Sequence, residues 1–255
     1  MIRGIAFVLF DTLVDQNHER LPPVQLDEGR RVGATTPALH AVVTEQGGVS
    51  ISLLEFADLL RSIDRDLRVD TIDLGIELST LDRFAALATR LGCGDVAPLA
   101  KAMTDVHMGM LQDAISVPPH HEAILTTLAG DYSLGLCSNF SHAETARAVL
   151  REAGFEKHLS CVVISEEIGI RKPRAEIFEA VASSFGFAPE EILHVGDKLQ
   201  ADVAGAASIG MRTCWLTRCV RDPELELQRF DGPRPDFALE DLSDLPLLVA
   251  RLNVS

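Results

Sequence analysis

Three short polar stretches, each placed after an apolar run, gather the residue types that could do chemistry together. Ser138-Asn139 follows the run at 132–137, Lys172 comes shortly after the run at 161–164, and Asp197 and Asp202 follow the run at 192–195. A hydroxyl and an ammonium suit the oxygens of an anion such as phosphate, because charge-assisted hydrogen bonds are the strong ones. Two carboxylates suit a hard cation such as Mg²⁺, which takes oxygen ligands. Taken singly, each residue has a plainer reading. Ser138 is a turn residue, Lys172 a solvated cation, Asp197 a helix N-cap, and Asp202 a first-turn partner of a helix dipole. Their order sets them apart, since each follows an apolar run. The chain also has only four lysines, Lys101, Lys157, Lys172 and Lys198, and two of them fall in these loops.

The elements that must position these groups are legible as alternation. Apolar runs of strand length at 5–10, 132–137, 161–164, 192–195 and 212–216, with a shorter one at 236–239, read as strands. Helical patterns lie between them at 121–129, 143–153, 176–185 and 199–209, with a last helix through 247–252. Gly154 and Gly210 end two of these helices. Such alternation predicts βαβ units and an α/β fold, a doubly wound parallel sheet covered on both faces. In that fold ligands bind beyond the carboxyl ends of the strands, so the three polar stretches converge on one rim.

The middle of the chain breaks the pattern. Residues 16–31 are polar, contain Pro22-Pro23, and read as a linker or irregular entry. Three amphipathic helices and no strand are expected from there to about residue 115. Ser52-Leu53-Leu54-Glu55 is a capping box ahead of Phe56, Leu59, Leu60 and Ile63. Residues 74–91 carry a stripe of Leu78, Leu81, Phe84, Ala85, Ala88 and Leu91, and residues 99–111 one of Met103, Val106 and Met110. The expected organisation is a core at 1–15 and 116–255 with an all-helical cap inserted at 16–115.

Composition bounds the partners. A hydrophobic content of 47% over 255 residues suits a folded chain with a substantial core. The net charge of −15 argues against nucleic acid and anionic membranes, while a small anionic molecule held by local cations stays open. No apolar run nears the ~20 residues of a membrane span, and the first residues do not read as a signal peptide. The five cysteines form no C-x-x-C pair, which suits a reduced, cytoplasmic protein with buried thiols.

With these stretches in this order, the chain resembles the haloacid dehalogenase (HAD) superfamily with a helical, C1-type cap. Ser138-Asn139-Phe140 is similar to its second motif and Lys172-Pro173 to its third. Gly196-Asp197 through Asp202 is similar to its fourth, continued by Val203-Ala204-Gly205-Ala206 and Gly210-Met211-Arg212. The resemblance implies a Rossmann-type core and a small phosphorylated substrate. It implies phosphate-monoester hydrolysis with Mg²⁺ or, in some members, cleavage of a carbon–halogen bond. It casts Thr12, Ser138, Asn139 and Lys172 as anion-binding residues, with Lys172 also catalytic, and Asp197 and Asp202 as metal ligands.

The first motif departs from the family. Members open on Asp-x-Asp-x-Thr, whose first Asp attacks the substrate and helps hold Mg²⁺ and whose second is the general acid and base. An ungapped match of Phe7-Val8-Leu9-Phe10-Asp11-Thr12-Leu13-Val14-Asp15 puts Val8 and Phe10 at those two positions. A second register, with a deletion before Thr12, makes Asp11 the nucleophile. A third lets Asp11 or Asp15 stand in for the missing carboxylates. As a plainer alternative, Asp11 is a turn residue bonded to nearby backbone N–H groups.

Three functions stay open: a binding protein that keeps the anion site without the aspartyl route, a Mg²⁺-dependent phosphatase using Asp11, and a biosynthetic enzyme of other chemistry reusing the pocket. Of the remaining candidates, His120-His121 reads as a poor metal pair, because adjacent side chains diverge and no third ligand is apparent. His107 and Arg83 read as helix-surface or packing residues of the cap that could face the site. Trp215 reads as core.

Overall fold

The computed structural model describes residues 1–253 apart from His18, Asp27 and Glu28. Those three fall within the linker read from the sequence at 16–31 and lie outside the described residues. The chain divides into two compact units, Met1–Gln16 with Ser116–Ser255, and Asn17–Ile115.

The larger unit is built on six parallel strands: β1 (Gly4–Phe7), β2 (Ser133–Ser138), β3 (Leu159–Ile164), β4 (Ile192–Gly196), β5 (Arg212–Leu216) and β6 (Phe237–Leu239). Their order across the sheet is β6-β5-β4-β1-β2-β3, and every neighbouring pair is parallel. The chain runs outward from β1 through β2 to β3, then returns to the other side of β1 and runs outward again. β1 is therefore the switch point, where a doubly wound sheet opens its crevice. Its burial on both faces explains its unbroken apolar sequence: all four residues are buried.

The apolar run at 5–10 reads as one strand, but β1 ends at Phe7. Val8 N–H still donates to Val195 O at 3.0 Å, and then the chain folds back. Leu13 and Val14 N–H both donate to Leu9 O at 2.9 Å, and Asp11 takes φ +57°, the one non-glycine residue with positive φ among those described. The side chains of Leu9, Leu13 and Val14 stay fully buried in this turn, so burial alone does not distinguish it from a strand.

The smaller unit holds α1 (Thr36–Glu45), α2 (Leu53–Asp70), α3 (Thr80–Arg90) and α4 (Val96–Asp113), with a short antiparallel pair, Val24–Gln25 and Arg31–Val32, that the helical patterning did not predict. α2 starts where the capping box requires: Ser52 Oγ accepts from Glu55 N–H, and Ser52 N–H donates to Glu55 Oε2 at 3.0 Å. α3 is shorter than the stripe at 74–91, because Ser79 caps it by accepting from Asp82 N–H at 3.0 Å, and Leu78 lies before the helix. Phe56, Leu60, Ile63, Phe84, Leu87, Leu99 and Met103 close one apolar core. Arg83 is paired within this unit to Asp64 at 2.6 and 2.7 Å, and His107 Nδ1 sits 2.9 Å from Thr35 Oγ1. Burial, followed by the Arg83 charge, pulls the His107 imidazole down to about 4.

The remaining helices of the larger unit are α5 (His121–Ala129), α6 (Ala143–Glu152), α7 (Ser165–Ile168), α8 (Ala175–Phe185), α9 (Gly205–Ser208), α10 (Pro223–Arg229) and α11 (Leu245–Leu252). The single helix expected at 199–209 is two pieces, a π-helical turn over Leu199–Ala204 and then α9. No helix among the described residues is long and apolar enough to cross a membrane.

Candidate functional site

The carboxyl ends of β1, β2 and β4 open into a cavity of about 300 Å³. Val8, Phe10, Asp11, Ser138, Asn139 and Lys172 line it, along with Phe140, Arg171, Asp197, Lys198 and Asp202. Eight of the ten residues that the sequence offered for this site, all but Thr12 and Asp15, thus meet in one cavity. Thr12 does not line it; it is fully buried and its Oγ1 has no hydrogen-bond partner.

Lys172 and Asp202 form the buried centre of this group. Lys172 Nζ lies 2.6 Å from Asp202 Oδ1 and donates to Cys137 O at 2.8 Å, and both side chains are 2% exposed. Burial works to raise the Asp202 carboxyl, but the Lys172 ammonium and His194 together outweigh it and hold the group well below the ordinary carboxylate range. Asp202 Oδ2 accepts from Lys198 N–H at 2.9 Å, and His194 Nε2 stands 3.4 Å from Oδ1. Burial keeps that imidazole below its usual pKa.

The π-helical turn after β4 aims Asp202 back toward the strand end. It does so past Gly196, where a Cβ would lie 2.5 Å from the Asp202 carboxyl carbon, so only glycine leaves the space. Asn139 holds the other end of Lys172. Its Oδ1 accepts from Lys172 N–H at 2.8 Å and its Nδ2 donates to Lys172 O at 3.0 Å. The Asn139 amide is therefore committed to the main chain that carries the lysine.

Asp197 is 2% exposed, and its Oδ2 lies 2.7 Å from the Lys198 ammonium. Burial, with the Asp202 charge beside it, raises its pKa against the pull of Lys198. Trp215 is core, as its sequence suggested, and it also fixes the Asp197 main chain by donating Nε1–H to Asp197 O at 2.9 Å. Nothing in the sequence indicated this bond.

Ser138 is fully buried at the end of β2, and its Oγ has no partner. A buried polar atom without a partner is uncommon, and at a cavity wall it suits a ligand oxygen. Asp11 reaches the same cavity, while its Oδ1 accepts from Gln16 N–H at 3.2 Å. Phe10 packs on Phe140 with ring centroids 4.5 Å apart, so one wall is apolar. Burial pushes the Cys137 thiol up to about 12, which leaves no thiolate for nucleophilic work at neutral pH.

A switch-point crevice in a parallel sheet, lined by a strand-end serine, a buried lysine and two aspartates, defines an α/β core of the haloacid dehalogenase type. The chain belongs to the haloacid dehalogenase-like hydrolase family, whose profile matches residues 2–210. It is 41% identical over 106 residues to the phosphoserine phosphatase of Thermus thermophilus, a match covering 41% of this chain and 39% of that protein. It is 26% identical over 207 residues to the pyrimidine 5'-nucleotidase YjjG of Escherichia coli, covering 80% of this chain and 86% of that one. Among solved structures, a 2-haloacid dehalogenase from Pseudomonas syringae superimposes with a TM-score of 0.74 at 22% identity, covering 99% of this chain and 100% of that one. The HAD-hydrolase YfnB of Bacillus subtilis, solved bound to magnesium, gives 0.61 at 20% identity, covering 97% and 98%. At these identities the two structures establish the fold alone.

Proposed function

We propose that the cavity binds a small phosphorylated molecule and does not pass its phosphoryl group through an aspartyl intermediate. One observation carries this reading: Val8 lines the same cavity as Ser138, Lys172, Asp197 and Asp202. The ungapped register puts Val8 at the nucleophile's position, and its side chain has no lone pair with which to attack. Phe10, at the acid–base position, packs on Phe140 and can move no proton. Ser138 Oγ and Lys172 supply the anion-binding groups; two of the three Lys172 N–H groups are used by Cys137 O and Asp202. Binding of phosphorylated molecules agrees with the names of the phosphatase and nucleotidase relatives. The proposed organisation is a core at 1–15 and 116–255 with a cap at 16–115, and the division into two compact units supports it.

The same geometry argues against a resident Mg²⁺ in this cavity. Val8 offers no oxygen, Asp202 is neutralised by Lys172, and Lys198 lies on Asp197. Asp197 and Asp202 therefore serve as partners of the two ammonium groups, and the anion is held without a hard cation between it and the protein.

Asp11 supports a second reading, since its carboxylate reaches the cavity and could act as nucleophile. Hydrolysis of an aryl phosphate, with and without Mg²⁺, separates the two readings. We expect the protein to be inert and Val8→Asp to gain metal-dependent turnover. Turnover by the unaltered protein that Asp11→Asn abolishes would establish the second reading in place of the first.

A further inference from the structure

Among residues that do not line this cavity, three side chains that could ligate a metal meet within the larger unit. We propose that His120, His121 and Asp241 form a binding site for a first-row divalent transition-metal ion, with Zn²⁺ as its natural probe. One ligand atom from each lies within 4.8 Å of the others, the only such group of three among the described residues. None of the three lines the cavity described above.

The sequence argued against this pair because neighbouring side chains diverge. Here they do not: the two rings stand edge to face with centroids 4.7 Å apart, as His120 directly precedes α5 and His121 opens it. The third ligand, 120 residues further on, comes from the segment after β6. Asp241 Oδ1 lies 2.8 Å from His120 Nε2 and also accepts from Ser243 N–H at 2.9 Å.

His121 supplies the independent observation. It is fully buried, and its Nδ1 lies 2.8 Å from Leu13 O. A carbonyl only accepts, so Nδ1 carries the proton and Nε2 presents a bare lone pair. That Nε2 has no partner in the structure. A metal-binding histidine needs this arrangement, one nitrogen free for the ion and the other donating to a backbone carbonyl.

Two imidazoles and one carboxylate select a borderline ion such as Zn²⁺, Ni²⁺ or Fe²⁺ over Mg²⁺. Arg218 is the opposing charge, with Nε 3.6 Å from Asp241 Oδ2. It is also paired to Asp15, Nη1 to Oδ2 at 2.8 Å, so Asp241, Arg218 and Asp15 together carry one negative charge. Arg218 occupies the Oδ2 side of Asp241 and leaves Oδ1 to the ion. The ion would take the place of the proton between His120 Nε2 and Asp241 Oδ1, the neutral imidazole then carrying its proton on Nδ1. His120 is exposed, which gives the ion an entry path.

The test is calorimetric titration of chelator-treated protein with Zn²⁺ and, separately, Mg²⁺, accompanied by thermal denaturation. We expect one Zn²⁺ per chain, no Mg²⁺ at this site, and a Tm that rises with Zn²⁺. His120→Ala and Asp241→Asn should each weaken binding by more than the ~10–100-fold typical of losing an outer-shell partner. Both substitutions are at positions that are not fully buried, and a cooperative melt of each without metal is the check that it folds. Cys219→Ser, which removes the exposed thiol 3.6 Å from Asp15, should bind Zn²⁺ as the parent does. Absence of stoichiometric binding, retention of Zn²⁺ by either ligand variant, or its loss in Cys219→Ser overturns the proposal.

Discussion

Replacing Lys172 by methionine tests whether the buried ion pair organises the cavity. Met keeps most of the volume and apolar stem but removes the ammonium that lies 2.6 Å from Asp202 Oδ1. Asp202 would keep only the Lys198 N–H at 2.9 Å and the neutral His194 at 3.4 Å. Breaking a buried pair by removing one partner costs about 3–5 kcal/mol, because a charge is left uncompensated in a low dielectric. With a urea slope near 3 kcal/mol/M, the unfolding midpoint of the larger unit should fall by roughly 1–1.7 M.

The pH dependence should change sign as well. In the intact protein the folded Asp202 pKa is depressed, so its contribution is complete above the unfolded value of about 3.9 and is lost as pH falls through the folded value. In Lys172→Met, burial acts without the ammonium and raises the folded pKa above the unfolded one. That variant should therefore regain stability as pH falls from 7 toward 4. The double variant Lys172→Met/Asp202→Leu removes the orphaned charge and should recover most of the loss. Urea titrations of the parent, both singles and the double, at pH 7 and pH 5, provide the measurement. Single-variant losses below about 1 kcal/mol that simply add in the double would refute the reasoning.

Other substitutions address the supports around this pair. Gly196→Ala would place a methyl 2.5 Å from the Asp202 carboxyl and should destabilise by about 1–3 kcal/mol, visible as a lowered urea midpoint along with weaker phosphate binding. Trp215→Phe removes the donor to Asp197 O and should cost about 1–3 kcal/mol by the same assay, because a buried carbonyl loses its partner. His107 is held to about 4 against an ordinary 6.5, so the unfolded chain binds its proton first. The stability of the smaller unit should fall as pH drops from 6.5 to about 4 and level off below, and His107→Gln should flatten that slope in a pH series of thermal melts.

The sheet was legible because each strand reads as a short apolar run closed by a polar or glycine break, and Ser138, Lys172, Asp197 and Asp202 were legible as the residues at those breaks. What escaped were the details that tertiary contacts decide. Residues 8–10 are as apolar as β1 before them, and nothing local shows that the chain turns at Val8. The π-helical turn at Leu199–Ala204 has an ordinary helical pattern, and its geometry follows from Asp202 pointing back at Lys172 past Gly196. Asn139 looked like a ligand group because it neighbours Ser138; its partner proved to be main chain 33 residues away. Asp241 could not be linked to His120-His121, since the two segments meet only once β6 has joined the sheet.

The place of β1 in the sheet also bears on how the chain assembles. β1 precedes both of its partner strands in the chain, and Gly4 pairs with Ser133 on one side and with Ile192 on the other. While the chain is being synthesised, this short apolar segment waits for partners that emerge only after the whole of Asn17–Ile115 has been made. That intervening unit has its own apolar core and can condense first, which shortens the effective loop the first strand must close. Until β4 arrives, one edge of β1 stays open, and an unpaired apolar edge invites association with other chains. Nascent chains truncated before residue 192 should therefore be the aggregation-prone ones, and a chaperone that shields β1 would act at the stage of greatest exposure.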